Sequence, residues 1–298
     1  MKFIYQDILN LLSDKPSIEL LSEKLFQLGH EHEIIDNVID IDFTPNRGDC
    51  LSLVGLSRDL KFFFGNKDVF EFYEDDISNL ELNFVNLSPK DCPKISFLEI
   101  EIENEVSQYN SYLENYFSIL ENNKTNFFTD ISNYLSYEQG QPTHCFDMTS
   151  ISNDIIFENK ECNESFPTLL GSEIKLQNKN AVFMNKKNII SLAGIMGGKE
   201  SACSTNTRNV LVECAYFNPE AIIGKTIQYN LNSEAAYKFE RGVDIESHDR
   251  VLRRFIKIVQ DHAKIKNINF KLFAEENYKE RLIPIDVNAI NSILGTQL

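Results

Sequence analysis

The chain has 298 residues, of which 42% are hydrophobic and 11% aromatic, and its formal net charge is −16. Such a length is generous for one compact core, so two or three domains are expected, and the apolar content excludes a disordered chain. The negative balance excludes a protein whose whole surface embraces nucleic acid, because neutralising phosphates needs clustered Lys and Arg; a local basic strip stays compatible with it.

The cysteines Cys50, Cys92, Cys145, Cys162, Cys203 and Cys214 are widely scattered, without a C-x-x-C pair or a regular framework. That pattern points to reduced thiols in a cytoplasmic protein, with no metal cluster. The first residues lack the long apolar core of a signal peptide. No stretch approaches the roughly 18 unbroken apolar residues of a membrane span, so no membrane partner is expected.

Taken in order, residues 17–29 predict a helix that Ser17 caps and Gly29 stops, with Leu21, Leu25 and Leu28 at helical spacing. Residues 38–43 alternate, with Ile39, Ile41 and Phe43 on one face of a strand and Asp40 and Asp42 on the other. A turn of breakers follows, Thr44-Pro45-Asn46-Arg47-Gly48-Asp49-Cys50. Asp49 or Ser52 can then cap a helix that turns Leu53, Leu56, Leu60 and Phe64 inward and stops at Gly65. In that turn Arg47 either holds a phosphate or pins the loop through carboxylates and carbonyls. Residues 66–90 read as an acidic connector with a strand near Leu80 to Val85.

Ile95, Phe97, Ile100 and Ile102 mark the next strand, and Tyr109 to Leu120 an amphipathic helix. Asp130-Ile131-Ser132-Asn133-Tyr134 forms a further short run before Glu138-Gln139-Gly140-Gln141-Pro142-Thr143-His144-Cys145-Phe146-Asp147. Proline fixes its own φ and restricts Gln141, so the backbone ahead of His144 is set. Between residues 155 and 198, dense turn signals divide the chain into short strands: Ile155 to Phe157, Phe166 to Leu170, Ile174 to Leu176, Ala181 to Met184 and Ile189 to Leu192. Asp249 to Lys264 is a closing helix, with Leu252, Phe255, Ile256 and Val259 inward. Its basic outer face, Arg250, Arg253, Arg254 and Lys257, reads as solvated surface in preference to an RNA-binding face.

The stretch from Ile189 to Asp244 organises the rest. Ser191-Leu192-Ala193-Gly194-Ile195-Met196-Gly197-Gly198 lets backbone approach whatever lies above it, since a Cβ would block that approach. Val210 to Val212 reads as a buried strand that delivers Glu213 where an apolar residue is expected. A buried Glu is rare without a partner. Glu213 is therefore either salt-bridged, to Arg241 or Lys238, or a polar group waiting for a ligand.

These segments resemble one family, the bacterial phenylalanyl-tRNA synthetase beta subunit. The Thr44 to Cys50 turn is similar to its Thr-Pro-Asn-Arg-x-Asp-Cys-Leu-Ser signature. The family's editing domain carries Asp-x-[Thr/Ser]-Asn-Tyr, Glu-x-Gly-Gln-Pro-x-His-x-Phe-Asp, Ala-Gly-Ile-x-Gly-Gly, a strand ending in Glu-x-Ala-x-Phe, and Phe-Glu-Arg-Gly-Val-Asp. All five occur here in order, the last at Phe239 to Asp244. The resemblance implies an α+β fold: an N-terminal α/β module over 1–85, a sheet-rich editing domain with flanking helices over 91–268, and the start of a truncated winged-helix-like module over 280–298.

It also implies a function. In that family the alpha subunit ligates phenylalanine to tRNA(Phe) with ATP and Mg2+, within an alpha2beta2 heterotetramer. The beta subunit edits, hydrolysing tyrosine wrongly attached at the tRNA 3′ end. No cofactor is expected in these residues themselves. Carried over, Glu213 accepts the tyrosyl phenol proton, Gly194 and Gly197 let the ring lie against bare backbone, and Ser233 and Ala235 line the opposite wall. Ser132, Asn133, Pro142 and His144 frame the ester end, with His144, Ser132 and Asn133 as the catalytic candidates. The base is either His144 or the tRNA's own terminal hydroxyl.

Three departures accompany the likeness. Ile34-Ile35-Asp36-Asn37 stands where the family inserts a tRNA-binding domain, Asn122-Asn123-Lys124 replaces Gly-x-Arg with Lys124 as a stand-in, and Ala236 replaces a serine. They leave room for an alternative, a structural or assembly module of the synthetase whose pocket is degenerate.

Overall fold

The structure, a computed structural model, describes residues 1–274 and 282–297. It opens with β1 (Lys2–Ile4), α1 (Tyr5–Leu11), α2 (Ile18–Gln27), β2 (Glu31–Ile35), β3 (Val38–Asp42) and α3 (Leu53–Phe64). Ser17 caps α2 by accepting the Leu20 N–H, and Ser52 caps α3 by accepting that of Gly55 at 2.9 Å. β1, β3 and β2 make a three-stranded antiparallel sheet, with Ile39 and Ile41 buried under the helices and the aspartates facing outward. Arg47 pins its turn: Nε donates to Asp49 at 3.0 Å and Nη2 to Asp59 at 2.5 Å.

Next come β4 (Ser78–Asn79), β5 (Asn83–Asn86), β6 (Lys94–Ile102), α4 (Ser111–Ile119), α5 (Phe127–Gln139) and β7 (Thr143–Asp147). They are followed by β8 (Asp154–Pro167), β9 (Glu173–Asn185), β10 (Asn188–Leu192), β11 (Met196–Gly197) and β12 (Asn209–Tyr216). The chain then forms α6 (Pro219–Ile222), α7 (Lys225–Tyr229), α8 (Glu234–Phe239), α9 (His248–His262), β13 (Ile265–Ala274) and α10 (Val287–Leu294). One five-stranded sheet runs β4-β13-β6-β12-β7 and the other β11-β10-β9-β8-β5.

The first of these sheets is the central layer. Alternate residues of β6 and β12 feed two cores. Leu98, Ile100, Val210 and Val212 pack on α3, α5 and α9, while Ile95, Phe97, Leu211 and Ala215 pack on the second sheet. The first core is continuous with that of the N-terminal sheet, through Ile39, Leu56 and Leu60.

Several expectations are corrected. Asp130 to Tyr134 is no separate run but part of the 13-residue α5, begun where Asn126 accepts the Thr129 N–H. Of the short strands expected over 155–198, those from Ile155 to Met184 merge into the long hairpin β8–β9, paired from Ile155↔Asn185 to Pro167↔Glu173, while Ile189 to Leu192 falls within β10. The hairpin's middle was read as turns because its core-facing side mixes polar Lys160, Glu164 and Asn178 with the buried Cys162, Phe166 and Leu176, which blurs the hydrophobic alternation. Arg254 is not solvated: it is buried against Glu138, because residues 71–75 lie across α9 and take hydrogen bonds from Arg253 and Arg254. Of the segment 280–298, residues 280, 281 and 298 lie outside the described residues, and α10 within it buries no side chain. Among the described residues no helix is long and apolar enough to cross a membrane.

Candidate functional site

β12 fixes the centre of the site. Its register sets Glu213 opposite His144 on β7 and opposite Phe97 on β6. Directly opposed residues of antiparallel strands share a face, with Cβ atoms about 5 Å apart. Glu213 therefore falls on the face of Leu211 and Ala215, over the second core, and is only 3% exposed. Among the described residues no group donates a hydrogen bond to its carboxyl, and none forms an ion pair with it. Burial alone lifts this acid to about 8.

Neither expected partner reaches it. Lys238 is buried elsewhere, giving its Nζ to the carbonyls of Leu51, at 2.8 Å, and Ser136. That burial depresses the ammonium to about 7, with Glu234 acting weakly the other way. Arg241 lies on the Tyr237 ring and donates to the Tyr237 carbonyl at 3.0 Å. Glu213 instead lines a cavity.

That cavity, of about 440 Å³, is lined by all the residues singled out from the sequence: Ser132, Asn133, Pro142, His144, Gly194, Gly197, Glu213, Ser233 and Ala235. His144 stands beside Glu213 on the neighbouring strand, its ring edge-on to Phe146 at 4.5 Å between centroids. The ring is partly exposed, yet its Nε2 is buried without a partner. Burial pushes this imidazole down to about 4. Acid and imidazole are thus both neutral at pH 7, two polar groups side by side on the cavity floor.

The glycines work differently from one another. A Cβ on Gly197 would lie 2.8 Å from His144 Nε2 and 2.7 Å from Leu169 Cδ2, so only bare backbone fits there. Gly194 has φ +68°, and its Cβ would strike Phe217, Ile222 and Phe239 rather than a ligand. This glycine shapes the turn.

Two candidate hydroxyls are already committed. Ser132 Oγ bonds the carbonyl and hydroxyl of Thr143, tying α5 to β7. Ser233 donates to the Ile195 carbonyl at 2.8 Å and accepts the Ala236 N–H, which caps α8. Asn133 is exposed at the mouth. Lys124 is no stand-in for an arginine at the cavity, because it pairs with Glu114 and sits over the Tyr109 ring.

Sequence reasoning missed the rim. Asn122, Asn123, Asn126 and Asn232 surround the opening, and Leu169 and Leu170 at the β8–β9 tip overhang it. Asn122-Asn123 was visible only as a departure from a motif; nothing in periodicity marks it. The described cavity holds no nucleophile with an adjacent base. Outside it His30, Cys50 and Asp59 converge, but the Arg47 guanidinium already lies among them, 2.6 Å from Cys50 Sγ. Burial also lifts that thiol to about 12, which keeps it protonated and a poor ligand.

The fold is an α+β module with a buried acid and an imidazole on adjacent strands lining one cavity. Residues 92–264 match the B3/4 domain, and the chain belongs to that family. Its relatives are beta subunits of phenylalanine–tRNA ligase. The one from Aquifex aeolicus is 32% identical over 251 residues, covering 83% of this chain and 32% of the relative. Those from Francisella tularensis and Pectobacterium atrosepticum are 27% and 31% identical, over 88% and 76% of this chain. The chain spans about a third of the length of the curated relatives it matches. Among solved structures, an N-terminal fragment of the phenylalanyl-tRNA synthetase beta subunit from Pyrococcus horikoshii aligns at TM-score 0.46 and 12% identity, over 100% of this chain and 85% of that one, a likeness too distant to add to this.

Proposed function

We propose that this chain is an editing module, in which the cavity at Glu213 receives the tyrosyl side chain of a mischarged tRNA(Phe) and water hydrolyses its ester. The observation that carries the reading is the partnerless pair on the floor. A phenol O–H donates to the Glu213 carboxyl, and the phenol oxygen accepts from the acid or the imidazole. Phenylalanine would leave both groups buried and unsatisfied, at about 1–3 kcal/mol per group. An apolar pocket rejects an added hydroxyl only about 10²-fold, whereas a site built to bond one rejects the analogue lacking it by up to about 10⁴–10⁵.

The ester end then lies towards Asn133 and the amide rim, with Pro142 fixing the entry to β7. Ser132 acts by holding β7 in place rather than by touching the ester. Hydrolysis proceeds by positioning water against an oriented ester. His144 stands on the floor beside Glu213, at the phenol end, and its depression to about 4 leaves it a weak base, which counts against it at the ester. The tRNA's terminal hydroxyl is the other candidate base. The alpha subunit of the synthetase is the proposed partner, and ATP and Mg2+ belong to its ligation site.

The competing reading, an assembly module with a degenerate pocket, predicts no tyrosine binding and no hydrolysis, only association with the alpha subunit. The unpaired Glu213 carboxyl among the described residues favours the editing reading over it. Deacylation of tyrosyl-tRNA(Phe) by this chain tests the proposal: hydrolysis is expected, falling at least tenfold in Glu213→Ala. An equal rate on phenylalanyl-tRNA(Phe), or no change in that variant, would contradict it.

A further inference from the structure

A second cleft, of about 580 Å³, lies between the turn before α3 and the segment linking α8 to α9. Arg58, Arg241 and Arg250 line it. Arg58 is held by Asp49. Among the described residues Arg241 and Arg250 have no carboxylate partner and lie instead against the rings of Tyr237 and Phe72, whereas Arg47, Arg208, Arg253 and Arg254 each hold a carboxylate. In a chain with 45 acidic and 29 basic residues, two unpaired guanidinium groups on one cleft stand out.

Of the acids lining the same cleft, Asp49 and Glu246 are paired with cations, while the Asp244 carboxylate accepts only a backbone amide among the described residues. Asp49 serves Arg47 and Arg58, Glu246 takes Lys94 at 2.8 Å, and Asp244 accepts the Glu246 N–H at 2.9 Å. Arg241 is also held in place. Its guanidinium lies 3.5 Å over the Tyr237 ring, its Nε is buried without a partner, and a Cβ at Gly48 would come within 2.7 Å of its carbonyl oxygen. A guanidinium fixed by stacking loses little freedom when it binds, and its fork matches the oxygens of a phosphate.

We propose that this cleft is an anion subsite for a backbone phosphodiester of single-stranded RNA, gripped by Arg241 and Arg250. Its position relative to the cavity supports that ligand. Gln139 of the cleft follows Ser132 of the cavity by seven residues, so the two lie on the same face of α5. At 1.5 Å per residue their separation along the helix is about 10 Å, short enough for a single strand of a few nucleotides to bridge. A strand whose last ribose carries the ester in the cavity would lay an upstream phosphate here. This inference rests on the editing reading for its direction, not for the chemistry of the cleft.

The test uses the full chain and a 5′-labelled tetraribonucleotide, followed by fluorescence anisotropy from 20 to 200 mM NaCl. Arg241→Gln and Arg250→Gln should each weaken binding about tenfold and flatten the log–log salt slope by roughly 0.7. Arg241→Lys should restore the slope but only part of the affinity. A tetramer with neutral methylphosphonate linkages should bind all forms alike and weakly. Unchanged affinity and slope in Arg250→Gln, whose side chain is exposed, would overturn the proposal. So would competition by inorganic phosphate with no binding of the tetramer, which would make the cleft a site for free phosphate. A separate tyrosine titration reports on the cavity: if it fails while the arginine effects stand, the editing reading falls and the anion subsite remains.

Discussion

Glu138 and Glu213 are both buried acids, one at the end of α5 and the other within β12. Glu138 receives two hydrogen bonds from Arg254, each 2.9 Å long. Glu213 receives none among the described residues and rises to about 8. The ion pair joins two helices and depends on its own completeness. The lone acid lines a cavity, and its burial is eased by protonation instead of by a counter-charge.

The largest expected effect breaks the first site. Arg254→Met leaves Glu138 buried without a counter-charge and should cost about 3–5 kcal/mol of stability, read from urea unfolding. The double variant Glu138→Leu/Arg254→Met should recover most of that loss, because the desolvation of both charges goes with them.

Next is the pH dependence of the second site. An acid whose folded value lies above its ordinary 4.5 is tolerated in the folded state only while protonated. The folded protein therefore loses stability as pH rises from about 4.5 to about 8 and loses no more above that, by at most about 1.4 kcal/mol per pH unit. His144 acts in the opposite window, losing stability as pH falls from 6.5 towards about 4. The difference profile between wild type and Glu213→Gln isolates the acid. It should slope through 4.5–8, and a flat difference would show that Glu213 is solvated or paired.

Gly197→Ala probes the floor directly. Its Cβ would press on His144 and Leu169, so tyrosine binding should fall at least tenfold while stability drops about 1–3 kcal/mol. The smallest effect is expected at Lys124, whose pair with Glu114 is exposed on both sides. Lys124→Ala should change stability by less than about 1 kcal/mol and leave tyrosine binding alone. A clear loss there would bring this lysine back to the cavity.

Much of this contrast was readable in the chain. The buried run Val210 to Val212 delivered Glu213 where an apolar residue was expected, and five ordered motifs supplied candidates for its surroundings; that Leu211 and Ala215 share its face emerged only from the sheet. What periodicity could not show was pairing across distance. Glu138 meets Arg254 only because α5 packs on α9, and the basic stripe of that helix looked solvated because residues 71–75, which cover it, carry no pattern of their own. Lys238, adjacent to the motif, appeared to be a natural partner for Glu213, but its reach to the Leu51 and Ser136 carbonyls follows from the N-terminal module docking there. The long β8–β9 ribbon escaped for a related reason: polar residues such as Lys160 and Glu164 share the face of the buried Cys162, Phe166 and Leu176, so the alternation is blurred.

The central claim is that one carboxyl, left unsatisfied on purpose by its surroundings, distinguishes a phenol from a phenyl ring. Calorimetric titration of the wild-type chain with L-tyrosine and with L-phenylalanine, repeated on Glu213→Ala, tests it most directly. The account predicts that tyrosine binds at least a hundredfold tighter than phenylalanine to the wild type and that the variant closes this gap. Equal affinities for the two amino acids, or a preference that survives loss of the acid, would contradict it.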